Sequence, residues 1–264
     1  MKILKICIII MIIFCLVDLS AAGLLLPWSA KSAASNCCGY ISGDSGAIFS
    51  YPSLGEKGVC FSNTRLYNIS ELPRYILSMG TEWQDFTLGY AIDHLHHPYY
   101  KETNQLINLG YGSENFRAGI NIRNLLIDIS EEPIEGAVIF DLGISWQRES
   151  LSSAVSWLNV GAGAIEEETL PIYFVWEMNW QAVSDGNLAV RIEKETGFEF
   201  HPTLAGDYSL SRSFRLISSY SLYPGSLGCG FEITIGKIAV SYGLQYHEDL
   251  QESHYLSLQY AAFN

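Results

Sequence analysis

The stretch Val138-Ile139-Phe140-Asp141-Leu142-Gly143-Ile144-Ser145-Trp146 decides the fold. Large apolar side chains occupy every second position of this stretch, and the positions between them are mostly small or polar. Because side chains alternate between the two faces of a β-strand, the pattern predicts a strand with one continuous apolar face. Its length exceeds that of the average soluble strand, about 5–6 residues, and approaches the roughly 9–11 residues with which a tilted strand crosses a bilayer.

The same alternation recurs from about Gly58 to the C-terminus, and segments of comparable length show no convincing helical period. The clearest further apolar rows are Ile172/Phe174/Trp176/Met178/Trp180, Leu227/Cys229/Phe231/Ile233/Ile235, Ile238/Val240/Tyr242/Leu244/Tyr246 and Phe86/Leu88/Tyr90/Ile92. In chain order, the alternation predicts about 12 to 14 strands. Their ranges are 58–67, 73–83, 85–94, 103–112, 115–129, 136–147, 150–160, 170–181, 187–196, a weak one at 198–204 that contains Pro202, 213–223, 226–235, 237–246 and 254–263.

The opposite face of these strands distinguishes a membrane barrel from a soluble β-sandwich. That face carries mainly Gly, Ser and Ala with about one acid per strand, which suits the crowded interior of a barrel. Trp146 and Trp180 close their apolar rows and Phe86 opens one, as expected for rings at the two membrane interfaces. We therefore predict an all-β, antiparallel transmembrane barrel in contact with outer-membrane lipid; the alternative is a secreted soluble β-sandwich or barrel that binds a ligand. The predicted lipid-facing residues are Phe140, Trp146, Phe174, Trp176, Phe231 and Tyr242.

The N-terminal region divides into two parts ahead of a barrel of residues 58–264. Lys2 and Lys5 precede an apolar run that ends in small residues, which predicts a signal peptide over 1–22, with a second small-residue cleavage pattern ending at Ala34. Residues 23–57 are rich in Gly, Ser and Ala and lack strand periodicity. Because a barrel of this size encloses more space than one layer of side chains fills, residues 23–57 are a candidate plug.

The charged residues exclude some partners and identify candidate lumen groups. A net charge of −13 gives no basis for binding nucleic acid. Asp141, Glu177 and Glu232 fall on the non-lipid side of their strands, where an enclosed carboxylate usually has a partner. Arg117, Arg123 and Arg191 are available, so these carboxylates predict either an internal acid–base ladder or a selective transport path.

Turn lengths orient the predicted barrel. A two-residue turn at Gly236-Lys237 joins two long strands, whereas a longer charged connection, 247–253, leads to the last strand. Short turns belong on the periplasmic side of outer-membrane barrels and longer loops outside. If the last strand runs down to a periplasmic C-terminus, the short turn at Gly236-Lys237 is periplasmic and the connection 247–253 is outside, as this rule requires.

The sequence predicts neither catalysis nor a bound cofactor or metal. Residues 43–47 (Gly-Asp-Ser-Gly-Ala) look like the nucleophile loop of trypsin-like proteases, but no matching base and acid accompany them, and the motif is ordinary turn chemistry. His94, His96 and His97 crowd one strand end and are interpreted as a solvated loop, as are Glu131-Glu132 and Glu166 to Glu168. Two alternatives are open for the cysteines: a disulfide between Cys60 and Cys37 or Cys38, and a buried free thiol at Cys229.

Several short motifs are similar to PorV/PorQ-like outer-membrane proteins, distant relatives of the FadL transporters. They are Gly46 to Leu54, Arg65-Leu66-Tyr67, Glu71-Leu72-Pro73, Tyr99 to Thr103, Asp141-Leu142-Gly143, Tyr223 to Gly228 and His254 to Leu258. Tyr51 and Ser53 stand where the family has Asn and Ala, and the resemblance makes Tyr51, Pro52 and Leu54 candidate plug residues. It implies a non-enzymatic outer-membrane barrel of a Gram-negative-type envelope. Such a barrel moves a small or hydrophobic molecule, or docks proteins of type IX secretion.

Overall fold

The computed structural model describes residues 26–113, 115–161, 164–165, 168–222, 225–248 and 250–261. The predicted signal peptide, 1–22, and two of the three glutamates of the 166–168 run lie outside these residues. No helix within the described ranges is long and apolar enough to span a membrane.

Fourteen of the described strands form one closed antiparallel barrel, which confirms the predicted fold class at the upper end of the expected strand number. Each strand pairs with its neighbours along the chain, and β1 closes on β16. The barrel strands are β1 (Gly58–Arg65), β2 (Pro73–Trp83), β3 (Phe86–His97), β4 (Tyr100–Ser113), β5 (Phe116–Ile129), β6 (Glu135–Arg148), β7 (Leu151–Val160), β10 (Tyr173–Val183), β11 (Gly186–Glu195), β12 (Phe200–Ser211), β13 (Phe214–Ser221), β14 (Ser226–Ile235), β15 (Ile238–His247) and β16 (Ser253–Tyr260).

Short elements accompany the barrel. The helices α1 (Ala30–Ala34) and α2 (Gly39–Ser42) and a 3-10 helix, Ser45–Phe49, precede β1, and a second 3-10 helix, Leu66–Asn68, follows it. A small hairpin, β8 (Ala164–Ile165) and β9 (Glu168–Thr169), lies in the connection between β7 and β10.

The weak strand prediction at 198–204 was wrong in extent, because the strand runs from Phe200 to Ser211. Pro202 lies one residue beyond the last pair that β12 makes with β13, Thr203 with Ser221. A proline cannot donate to a ladder, and it is tolerated near the start of a strand for that reason.

The two ends of the barrel differ. At one end, two residues join each of six successive strand pairs, for example 84–85, 149–150 and 236–237. At the other, most connections are longer, such as 66–72, 130–134 and 161–172, with 98–99 the short exception. We call these the short-turn end and the long-loop end. By the rule for outer-membrane barrels, the short-turn end is periplasmic.

The outer face of the barrel is apolar. Along β6, buried and exposed residues alternate, and Phe140 and Trp146 are exposed on the outside. The other predicted lipid-facing residues, Phe174, Trp176, Phe231 and Tyr242, are on the same outer parity and are half-buried. Aromatic rings encircle the short-turn end, as at a membrane interface: Trp83, Phe86, Tyr111, Phe116, Trp146, Trp180, Tyr208, Phe214 and Tyr260.

The outer position of Leu142 supplies a direct test of this orientation. It is 42% exposed at the centre of the β6 apolar row. Leu142→Arg is expected to lower the free energy of unfolding in a bilayer by about 2–4 kcal/mol, because an arginine near the bilayer midplane is poorly solvated. Leu142→Ala is the matched control and should cost less. Equal losses for the two variants in denaturant titrations from lipid vesicles would contradict a lipid-facing Leu142.

Candidate functional site: the barrel lumen and its plug

Residues 26–57 lie inside the barrel, and we call them the plug. Nearly every residue from Trp28 to Ser53 is buried. Trp28, Ile48 and Tyr51 belong to one apolar cluster with inward side chains of the barrel wall. The wall side chains in that cluster are Ile76, Ala91, Leu106, Ala154, Leu158, Tyr173 and Val175. The plug therefore fills the middle of the lumen.

The position of α1 bears on where a signal peptidase would cut. Ser29 caps α1 by accepting from the Ser32 amide, and Trp28 is fully buried. Cleavage after Ala34 would remove both residues and the whole helix. The cut after Ala22 stays a prediction, and it is the one that leaves α1 in the protein.

Glycines on the inner face allow the plug backbone to approach the wall. A methyl group added at Gly119 would lie 2.0 Å from the Pro52 carbonyl oxygen, and one at Gly243 would lie 2.0 Å from the Ala30 carbonyl oxygen. No real side chain fits at such distances. The abundance of glycine on the non-lipid face of the strands thus reflects contact with the plug.

Gly119→Ala is expected to force the Pro52 segment away from the wall and to destabilise the protein by about 1–3 kcal/mol, the usual cost of overpacking. Gly206→Ala is the control, because its nearest neighbour is a flexible Leu188 methyl 3.1 Å away on the outer face. Unfolding in denaturant, followed by tryptophan fluorescence, measures both. A Gly119→Ala variant no less stable than the control would contradict the close contact.

Asp141 is the centre of a buried polar network. It is fully buried and accepts from Arg123 Nε and Nη2, both at 2.8 Å, and from Asn121 Nδ2 at 3.0 Å. The Asn159 amide donates to it at 2.9 Å, because a register irregularity in β7 and a positive φ at Asn159 turn that residue into the lumen. This ion pair lies within the barrel wall, where its role is to join β5, β6 and β7.

Glu177 binds the plug. Its carboxylate accepts from the backbone amides of Gly39, at 2.7 Å, and Tyr40, at 3.0 Å, in the first turn of α2. Arg191, which the sequence offered as a partner for such a carboxylate, donates to the Tyr51 hydroxyl at 3.1 Å and pairs with Glu193. An enclosed carboxylate thus meets backbone donors of the plug.

Glu232 also meets the plug, through Lys31. The Lys31 ammonium lies 2.9 Å from the Glu232 carboxylate and donates to the Gln259 side-chain oxygen at 2.8 Å. All three predicted lumen carboxylates therefore have partners in the wall or plug. Only Asp141, among the three, pairs with one of the arginines considered for the ladder, and Glu232 pairs with a lysine of the plug instead. Arg117, at the short-turn end, pairs with Glu82 at 3.3 Å.

Polar side chains around the barrel hold further plug carbonyl groups. Asn108 donates to Pro52 and Asn121 to Ile48, both at 2.8 Å. On other strands, the wall donors are Arg74 to Pro27, Arg215 to Ile41 and Ser219 to Ala34. The sequence analysis missed these five wall residues. Strand alternation shows that these five residues point inwards. It does not show which inward residues contact the plug, because the plug sequence has no periodicity of its own.

The three candidate plug residues are inside the barrel. Tyr51 is fully buried and bonded to Arg191, and Pro52 lies against the inner glycines 119 and 143. Leu54 is partly buried against the apolar cluster. Pro52 and Tyr51 thus contact different parts of the wall, β4–β6 and β11.

Two cavities lie on either side of the plug. Towards the long-loop end, a polar cavity of about 80 Å³ is lined by residues that include Leu26, Phe49, Arg74, Asp93, Glu102 and Asn104. Towards the short-turn end, a cavity of about 410 Å³ is lined by residues that include Tyr40, Leu54, Glu56, Glu82, Arg117 and Glu149. The plug separates an outer vestibule from a larger inner one.

The remaining motif predictions have mixed outcomes. Asp44, in the protease-like motif, caps the 3-10 helix and accepts from Trp28 Nε1 at 2.9 Å, so it is structural. The loop prediction for the histidines was wrong, because pairing with β4 extends β3 to His97. None of the described cysteines forms a disulfide, so Cys60 is not bridged to Cys37 or Cys38. The buried position predicted for Cys229 was wrong, because it is exposed on the outer face of β14.

Several solved outer-membrane transport proteins are similar to this chain in fold. The Ralstonia pickettii toluene transporter TbuX matches with a TM-score of 0.64 at 9% identity, over 89% of this chain and 98% of that chain. A TodX deltaS2S3 mutant, a monoaromatic hydrocarbon channel, gives 0.65 at 9% identity, over 90% and 100%. A Pseudomonas aeruginosa FadL homologue gives 0.58 at 12% identity, over 91% and 100%. No family model and no curated protein sequence matches. The chain has the fold of an outer-membrane β-barrel.

Proposed function

We propose that this protein is a non-enzymatic outer-membrane channel that passes small apolar molecules. The observation that carries the proposal is a closed barrel, similar in fold to a toluene transporter and a monoaromatic hydrocarbon channel, whose lumen is filled by its own N-terminal segment. An open aqueous pore would give polar solutes free passage. A filled lumen admits only molecules for which the plug opens a path.

The lumen offers an apolar surface for such a path. The cluster around Phe49, Tyr173 and Leu106 lies along the inner faces of β2, β3, β4, β7 and β10. Polar wall residues on β10 and β13 bind the α1–α2 region, through Glu177, Arg215 and Ser219. An apolar solute is therefore expected to pass along this cluster, once the plug releases the hydrogen bonds that Ser78, Arg74 and Asn108 make to it.

Uptake by whole cells tests the function. Pure phospholipid vesicles let hydrocarbons through unaided, so the assay needs cells with an intact lipopolysaccharide outer leaflet. Cells that produce the protein should accumulate a radiolabelled monoaromatic hydrocarbon faster than cells that do not, with no change in uptake of a similar-sized sugar. Equal hydrocarbon uptake in the two strains would contradict the proposal.

The resemblance to PorV/PorQ-like proteins predicts a different role, an accessory or docking part of type IX secretion. A docking protein can remain sealed and needs no solute path. Unchanged hydrocarbon uptake, together with co-purification of secretion proteins from the native organism, would favour that role.

A further inference from the structure

Basic and imidazole side chains gather on the outer face of the barrel at its long-loop end. They are Arg65, His94, His96, Lys101 and His254, and we call them the outer basic patch. Their direction follows from strand alternation, because their neighbours Arg74, Asp93 and Glu102 line the lumen cavity. Arg65 and His96 are exposed, and the other three are half-exposed.

Strand register makes the patch continuous. Arg65 pairs directly with His254, and His96 pairs directly with Lys101. Tyr75, between them on β2, pairs with His94. Side chains directly opposite on one face lie about 4.5–5.5 Å apart at their Cβ atoms, so the patch is a row of two close pairs, on β16–β1 and on β3–β4, with Pro73 and Tyr75 of β2 between them.

The row begins where the apolar outer face ends. Towards the long-loop end, the next outward residue beyond the exposed Leu256 of β16 is His254, and the next beyond Ile92 of β3 is His94. The 14-residue strands β4 and β5 rise about 35 Å at the usual tilt, whereas the apolar band of such a barrel is about 25 Å tall. The patch members near the end of the long strands, His96 on β3 and Lys101 on β4, therefore lie at the level of the lipid headgroups.

The patch presents hydrogen-bond donors outwards. His94 Nδ1 lies 2.9 Å from Thr103 Oγ1, and His254 Nδ1 lies 2.6 Å from the Tyr242 hydroxyl, which leaves Nε2 of each ring for an outside partner. Lys101 pairs with Asp128 at 2.9 Å, but both side chains are about 40% exposed, and such surface pairs are weak. A phosphate group can therefore compete for the ammonium.

We propose that the outer basic patch binds the phosphate groups of anionic lipid headgroups in the outer leaflet. The chain carries a net charge of −13, so attraction to an anionic surface needs a local cluster of this kind. Because the patch adjoins the apolar outer face of the barrel, we identify lipid as its occupant. This inference is independent of what passes through the lumen.

Lipid retention tests the proposal. The full-length protein is purified from mixed micelles of phosphatidylcholine and phosphatidylglycerol, and bound lipid is counted by native mass spectrometry. The wild-type protein should enrich phosphatidylglycerol. Arg65→Gln with Lys101→Gln should reduce that enrichment roughly fivefold for each basic residue removed. The control pair is Arg148→Gln with Arg212→Gln, exposed at the short-turn end, and should match the wild type.

Three outcomes would overturn it. They are no preference for the anionic lipid in the wild-type protein, equal losses in patch and control variants, or complete displacement of the lipid by excess inorganic phosphate, which would identify a simple ion site. Heat-modifiable gel mobility verifies that each variant is folded, so a loss of lipid cannot be confused with misfolding.

Discussion

Asp141→Ala is expected to lower the free energy of unfolding by about 3–5 kcal/mol, because it leaves a buried, uncompensated guanidinium. Arg123 is held by both carboxylate oxygens of Asp141 inside the wall, and its side chain is only 10% exposed. The loss also removes the acceptor for Asn121 and for the Asn159 amide. Three strands would lose their shared polar contact at once.

The control for this experiment is Asp128→Ala. Asp128 forms a comparable ion pair with Lys101, but on the exposed outer face, where such pairs contribute about 0–1 kcal/mol. Unfolding of both variants in denaturant, from the same lipid vesicles, gives the comparison. Similar small losses would show that the Asp141 network is not essential to the wall.

Deleting residues 27–55 is expected to convert a filled lumen into a water-filled pore. A barrel of fourteen strands encloses more space than its own inward side chains fill, so water would enter once Trp28, Ile48 and Tyr51 are gone. The released wall groups, such as Glu177, would then be hydrated instead of bonded to α2. Single-channel recordings in planar bilayers should show large, stable openings for the deletion and little conductance for the full chain.

A deletion can also fail to fold, so recordings are made only on protein with the heat-modifiable gel mobility of a closed barrel. Arg212→Gln, in a turn remote from the plug, is the control and should behave like the full chain. Equal conductance of the folded deletion and the full chain would contradict a lumen closed by residues 26–57.

The strands were predictable because a membrane barrel exposes a long period-two pattern. The row from Val138 to Trp146 is one strand, with Asp141 buried inside and Phe140 exposed outside. Strand ends were less predictable. The sequence predicts that His96 and His97 are loop residues, but they pair with Lys101 and Tyr100 of β4 and so extend β3.

The plug contacts were not predictable, since the plug has no periodicity to fix which groups it presents. The sequence predicts an arginine as the partner of Glu177, but two backbone amides in the first turn of α2 donate to it. The inward turn of Asn159 depends on a strand irregularity that alternation does not show.

The most direct test of the account fixes the plug to the wall and measures transport. The Ser45 and Ser78 hydroxyl oxygens lie 2.8 Å apart, so Ser45→Cys with Ser78→Cys should form a disulfide between plug and β2, verified by mass spectrometry. If apolar molecules pass through a lumen that the plug must open, the oxidised variant takes up no monoaromatic hydrocarbon, and reduction restores uptake to the level of either single variant. Full uptake with the disulfide intact would contradict passage past a moving plug.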